Sequence, residues 1–269
     1  MTMATMLTIL LFLLLYAAAA AFHATTVDAD FSFSYAQADK TLPSNLVLRS
    51  NASLKSDGTV WLTPNPNEQQ SSQMRLQVGW LLYDNAFLWE TNTTSFSTAF
   101  EFQFITSLNR AGDGMAFFIS PHNTVPDRSD GMMLGLTSND TYNVIDPSLH
   151  LFAVEFDTFR NTLLDDPSNN HTGFDINSLL SDVTYDFTHS SGRLDLDLYS
   201  NSSFMVWVDY YAATTSIELR MVNTDMTSGK SRPVNPLLDL TRDLSTVFQN
   251  TPLFVGLSAT TGGRYQGCV

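Results

Sequence analysis

Residues 95–106 read SFSTAFEFQFIT, and the fold class turns on this stretch. Phe96, Phe100, Phe102 and Phe104 fall on one face at even spacing, while Ser97, Glu101 and Gln103 take the other. A period of two with aromatic rings on one side predicts a half-buried β-strand. The same period recurs further along, in residues 193–199 (RLDLDLY), 204–211 (FMVWVDYY) and 216–222 (SIELRMV), each read as a strand and separated by polar, turn-like residues. Short apolar runs at 115–119, 149–159 and 253–258 add further strands. Many short strands with polar turns predict an all-β antiparallel sandwich or barrel. Helical spacing is confined to residues 237–248, LLDLTRDLSTVF, where Leu240, Leu244, Val247 and Phe248 predict one short helix or turn.

Composition narrows the function. The chain has 269 residues, 13 Lys+Arg against 27 Asp+Glu and a formal net charge of −14, so a broad basic face for nucleic acid is excluded. Cys268 is the single cysteine, which rules out an intramolecular disulfide and a Cys-rich zinc site. Residues 7–21, LTILLFLLLYAAAAA, form an uncharged apolar run ending in small residues. It is short for a membrane span and is read as a signal peptide over residues 1–24, cleaved near Ala21 or Ala24, which predicts a secreted, extracellular protein. Asn-x-Ser/Thr patterns at Asn51, Asn92, Asn139, Asn170 and Asn201 accord with export as a glycoprotein. No repeat or Pro/Gly-rich linker divides the remainder, so one domain is expected over residues 28–269.

The segment richest in chemistry is 154–181, VEFDTFRNTLLDDPSNNHTGFDINSLLS. Glu155, Asp157 and Phe159 alternate along a strand and share a face, with Asn161, Asp166 and His171 following in a polar loop. Carboxylates gathered in a partly buried place repel one another unless cations neutralise them. Carboxylate, amide and carbonyl oxygens suit Ca²⁺, and an added imidazole suits a transition ion. A solvated acidic loop is the plain alternative. A second segment, 111–121 (AGDGMAFFISP), sets Asp113 between two glycines just ahead of an apolar strand, a pattern that also fits a hairpin turn.

Taken together, FSFSY at 31–35, VGWLLYDNAFLWE at 78–90, SFSTAFEF at 95–102, GDGMAFFISP at 112–121, VEFDTFRN at 154–161, DPSNNHTGFDINS at 166–178, VWVDY at 206–210 and VGLSATTG at 255–262 resemble the legume (L-type) lectin family of plants. That family includes the lectin-like ectodomains of plant receptor kinases. The resemblance implies a concanavalin-like jelly roll that binds glycans without catalysis. It implies Glu155, Asp157, Asp166 and His171 as ligands of a transition metal, usually Mn²⁺, with Ser181 holding a metal-bound water. It implies Asp157, the Phe159 carbonyl, Asn161 and Asp166 as Ca²⁺ ligands. Asp113, after a cis Gly112–Asp113 bond, would accept sugar hydroxyls; Asn161 would donate to the sugar and the Phe159 ring would stack on it. Loops at 129–133 and 262–265 would complete the pocket, which brings in Gly131, Met132 and Gly263. Mannose or glucose is the expected sugar type and a homodimer through the back sheet the expected assembly, with a membrane partner only in a longer product.

Two further expectations follow from that resemblance. The family's last strand follows the ATTG loop, whereas this chain stops at Gly267-Cys268-Val269, so the sandwich is expected to lack its final strand and to be poorly stable unless a partner supplies it. A receptor-kinase ectodomain fragment is one alternative. The other is a retaining glycoside hydrolase on a similar sandwich, which needs a second carboxylate on the same strand. Positions 159 and 160 are Phe and Arg, so that Glu is missing.

Overall fold

The computed structural model describes residues 31–67, 75–106, 112–138, 144–188, 196–226, 230–263 and 266–269. The expected signal peptide over 1–24, the Asn139 sequon and Arg193–Asp195 lie outside the described residues. Among those described, no helix is long and apolar enough to cross a membrane.

Fourteen strands are described in chain order: β1 Leu46–Ser50, β2 Ser53–Leu54, β3 Val60–Trp61, β4 Val78–Phe87, β5 Phe96–Thr106, β6 Gly114–Ser120, β7 Phe152–Asp157, β8 His171–Ile176, β9 Ser181–Asp186, β10 Ser203–Tyr211, β11 Ser216–Asn223, β12 Leu238–Thr241, β13 Leu253–Thr260 and β14 Gln266–Cys268. They form a seven-stranded sheet, β1-β4-β13-β6-β7-β8-β9, a five-stranded sheet, β12-β11-β10-β5-β14, and the small β2–β3 pair. The pairing is antiparallel throughout. The all-β antiparallel sandwich is therefore as expected.

Strand β5 behaves as its alternation predicts. Phe102 and Phe104 are buried, Phe96 and Phe100 are half-buried against the same core, and Ser97, Ala99 and Glu101 are exposed. Across the sandwich, the Phe102 ring lies 4.9 Å from that of Phe156 on β7, so aromatic contact bridges the two sheets. The apolar runs of β6 and β7 have a different cause. Met115, Phe117 and Ile119 of β6 enter the core between the sheets, while Ala116 and Phe118 enter a second apolar cluster on the outer face of the seven-stranded sheet. Both faces are covered, so the hydrophobic pattern is continuous rather than alternating.

The second cluster positions the site. Residues Met133, Leu134 and Leu136 fold down into it over Trp80, Phe118 and Ala153. The loop is tied by Trp80 Nε1 donating to the Gly135 carbonyl at 3.1 Å, Ser258 Oγ to Leu134 at 2.6 Å and Thr260 Oγ1 to Gly131 at 2.7 Å. Each bond satisfies a buried polar group that would otherwise cost on the order of 1–3 kcal/mol.

Three expectations need correction. Leu196 and Leu198 are buried, as their alternation implies, but residues 196–199 form no strand. The Asp197 carboxylate instead accepts from the Tyr199 amide at 3.0 Å and caps a short 3₁₀ turn, Leu198–Ser200; aspartate side chains compete in this way with ladder bonds. Within 237–248, the first part is strand β12 paired with β11, and only Ser245–Phe248 (α1) is helical. At the C-terminus, where the chain was expected to lack its last strand, Gln266–Cys268 form β14 on β5. Val269 exchanges two backbone bonds with Gln103, at 2.7 and 3.1 Å.

Candidate functional site

Strands β6, β7 and β8 assemble the site through register and parity. Phe152, Val154 and Phe156 of β7 face the core, so Ala153, Glu155 and Asp157 face the opposite side. On β8, Asp157 pairs directly with His171, and Glu155 with Gly173. Gly114, the residue after Asp113, pairs with Asp157 on the other side. Asp113 thus comes to the end of the strand that carries the acidic pair.

Ligand atoms of Glu155, Asp157 and His171 lie within 4.8 Å of one another, and all three residues are buried. His171 Nδ1 lies 2.9 Å from the Ser168 carbonyl and donates to it, which turns Nε2 toward the carboxylates. Nε2 faces Glu155 Oε1 at 3.2 Å and Asp166 Oδ1 at 3.8 Å. Burial works against the charged imidazole, yet Glu155 and Asp166 outweigh it and its pKa stands above the ordinary value. Burial, with Glu155 and Asp166 beside it, raises Asp157 well above the usual carboxylate range. Asp166 is raised to about 6, chiefly by burial, against the lowering effect of the Asn161 amide. Buried carboxylates pushed upward in this way are ones whose charged form a bound cation would stabilise.

The loop after β7 wraps the same cluster. The Phe159 amide donates to Asp157 Oδ1 and the Asn161 amide to Asp166 Oδ2, both at 2.5 Å. Asn161 Oδ1 is buried with no hydrogen-bond partner. A buried, unpartnered amide oxygen on a residue whose backbone amide binds one of the carboxylates fits an oxygen-seeking cation. The donor set therefore suits divalent metal.

Three residues here escaped the sequence reading. Asp175, fully buried, lies on the same face of β8 as His171 and Gly173. Ser181 Oγ is 2.7 Å from Asp175 Oδ1 and 2.6 Å from Glu155 Oε1. One hydroxyl proton cannot serve both acceptors. Burial and the Glu155 charge raise Asp175 well above the usual carboxylate range, and the Ser181 hydroxyl sits between the two carboxylates. Gly173 is required by the packing: a Cβ there would lie 2.2 Å from Ser181 Oγ and 2.9 Å from Glu155 Oε1. The i, i+2, i+4 spacing of His171, Gly173 and Asp175 carried this signal in the sequence.

Asp113, 6% exposed, follows a cis Gly112–Asp113 peptide bond, as expected. Its carbonyl accepts from the Thr158 amide and hydroxyl, each at 2.8 Å, and its amide donates to the Thr260 carbonyl at 3.1 Å. Thr158 is the third residue missed; it ties Asp113 to the strand of Glu155 and Asp157. Gln266 of β14 supports the bend, its Oε1 accepting from the Gly112 amide at 3.3 Å and lying 3.0 Å from Thr158 Oγ1. Gly131, with φ +62°, and Gly262 close over the Asp113 carboxylate; a Cβ on Gly262 would lie 2.6 Å from Asp113 Oδ2. Gly263 faces open space, and Met132 is half-buried against the second apolar cluster. The structure thus brings Asp113, Gly131 and Gly262 together at the end of β6 that pairs with Asp157.

Comparison with known proteins agrees with this geometry. The legume lectin domain family model matches residues 30–268. The L-type lectin-domain containing receptor kinase V.9 of Arabidopsis thaliana is 36% identical over 174 residues, 63% of this chain and 25% of the kinase. The chain therefore spans about a quarter of that kinase's length. Agglutinin-2 of Cladrastis kentukea is 33% identical over 231 residues, 82% of this chain and 72% of the agglutinin. The solved lectin from Bauhinia forficata in complex with GalNAc superposes with a TM-score of 0.67 at 28% identity, covering 84% of this chain and 89% of that one. Sandwich topology, site geometry and family match coincide, and the chain belongs to the legume lectin domain family.

Proposed function

We propose that this domain recognises glycans outside the cell through a divalent-metal-dependent site and catalyses no reaction. The observation that carries the reading is the meeting of the Asp113 carboxylate and the Gly131 and Gly262 backbone with a buried group of acidic residues and a histidine. A sugar offers a fixed array of hydroxyls and one weakly apolar face. Asp113 accepts from the hydroxyls, Asn161 and the backbone of Gly131, Met132 and Gly263 complete the polar contacts, and the Phe159 ring covers the apolar face.

Glu155, Asp157, Asp166 and His171 would hold a transition ion such as Mn²⁺, with Ser181 beside it. Asp157, the Phe159 carbonyl, Asn161 and Asp166 would hold Ca²⁺. Bound metal supplies positive charge that lets the carboxylates ionise together. The chain's own residues then preorganise the sugar site: the amides of Phe159 and Asn161 fix the loop, and Thr158 fixes Asp113. A hydrolase is disfavoured because Phe159 and Arg160 stand where a second catalytic Glu belongs.

The sugar is a hexopyranose. Mannose or glucose is the first reading, and the N-acetylgalactosamine held by the Bauhinia relative favours a galactose-type sugar as the second. A glycan array of the metal-loaded protein and an Asp113→Asn variant tests both. Binding to one hexose class that the variant loses supports the proposal; equal signals from the two proteins overturn it.

A further inference from the structure

Beside the proposed sugar site lies a cavity of about 530 Å³, bordered by Phe159, Arg160, Pro167, Asn169, Thr188 and Tyr199. Phe159 belongs to both places, since it sits between Asp157 and Asn161 on the loop after β7. The walls combine two aromatic rings and a proline with an amide and two hydroxyls, the mixed surface that a pyranose ring requires. The polar groups are held in place. Asn169 Nδ2 donates to Tyr199 Oη at 3.0 Å, Tyr199 Oη donates to the Thr158 carbonyl, and the Thr188 amide donates to Asp186 Oδ1 at 2.8 Å.

Among the described residues one charged side chain lines this cavity, and in a protein of net charge −14 it is a cation. Arg160 uses Nε to donate to the Asp166 carbonyl at 3.0 Å, which orients the guanidinium. Its two Nη groups make no hydrogen bond or ion pair with any described residue, and no carboxylate is among the described residues that line the cavity. A guanidinium anchored at Nε presents its Nη pair as a two-pronged donor, the geometry that matches a carboxylate.

We infer that this cavity is a second subsite for an acidic saccharide unit, a uronic acid whose carboxylate pairs with Arg160 while its ring lies among Phe159, Pro167 and Tyr199. The inference rests on the carbohydrate reading above, because the uronate unit is joined to the hexose held at Asp113. Bound metal would neutralise the nearby ligand carboxylates, which would leave the positive charge of Arg160 to face an anion without opposition from Asp166.

The test is isothermal titration of the metal-loaded protein with matched disaccharide pairs, each hexose carrying either a uronic acid or the corresponding neutral sugar. The uronate member should bind about three- to tenfold more tightly, the range for one charge-assisted pair at a partly exposed site. That preference should shrink as salt is raised. Arg160→Gln should abolish the preference, and Arg160→Lys should keep part of it. Equal affinity for both members, or a preference that survives Arg160→Gln, overturns the subsite while leaving carbohydrate binding intact. Failure of every disaccharide to bind refutes the carbohydrate reading itself, and the subsite with it.

Discussion

Replacing Gly262 by alanine should injure the sugar site while sparing the metal cluster. A Cβ at this position would lie 2.6 Å from Asp113 Oδ2 and 3.2 Å from the Gly131 Cα. Carbon and oxygen atoms pack at about 3.2 Å or more, so the carboxylate must retreat by roughly 0.6 Å. It cannot do so by moving its backbone, which Thr158 and Thr260 hold through bonds of 2.8 and 3.1 Å. Rotation about the side chain is what remains, and it misaligns the oxygens that are to accept sugar hydroxyls. A hydrogen bond to a charged group contributes about 1.5–3 kcal/mol, which corresponds to a loss of roughly 10- to 150-fold in affinity. Gly262 does not have a positive φ, so alanine brings no backbone strain. The assay is titration calorimetry with the best-binding sugar, run beside metal analysis and thermal unfolding. Weakened binding with metal content and melting temperature preserved is the expected outcome. An affinity within twofold of the parent would refute the placement of Asp113 at the sugar.

Other consequences can be measured independently. Gly173→Ala pushes a Cβ to 2.2 Å from Ser181 Oγ and 2.9 Å from Glu155 Oε1, so bound metal per chain should fall sharply by elemental analysis; full occupancy would count against the cluster. Stripped of metal, the protein should lose stability as pH rises from about 4 to 7. Asp157, Asp175, Asp166 and His171 have folded pKa values above their unfolded ones, so the folded state binds more protons in that window. Asp57 and Asp146 are shifted downward and act only below it. Thermal melts in chelator that rise with pH would contradict this. The Asn170 sequon should carry no glycan, because its Nδ2 donates to Asp197 Oδ1 at 3.0 Å and its Oδ1 accepts from the Leu198 amide at 3.1 Å in a residue 6% exposed. Peptide mapping that finds a glycan there on metal-binding protein would refute it, whereas the exposed Asn92 is open to modification.

Much of this architecture is written in local periodicity, and the exceptions have physical reasons. The rings of β5 and the acidic pair of β7 obey a period of two because each strand has distinct faces. Asp113 is marked only by its flanking glycines, and what makes it a candidate site is the approach of Gly131 and Gly262 from distant loops. No local pattern encodes that approach. Asp175 was visible in the spacing after His171, but its role depends on Ser181 across the β8–β9 pair. Residues 196–199 show the converse. Their leucines alternate as in a strand and are buried, yet the Asp197 carboxylate satisfies the backbone locally, so no ladder forms. In residues 237–248, pairing of Leu238–Thr241 with β11 overrode a weak helical spacing.

The central claim, that a buried acidic cluster organises a sugar site around Asp113, is tested most directly by one titration. The sugar identified on the array is titrated into the metal-loaded protein, into the same sample after chelation, and again after calcium and manganese are restored. The account predicts binding in the first, none in the second and recovery in the third. Undiminished affinity in the presence of chelator would contradict it.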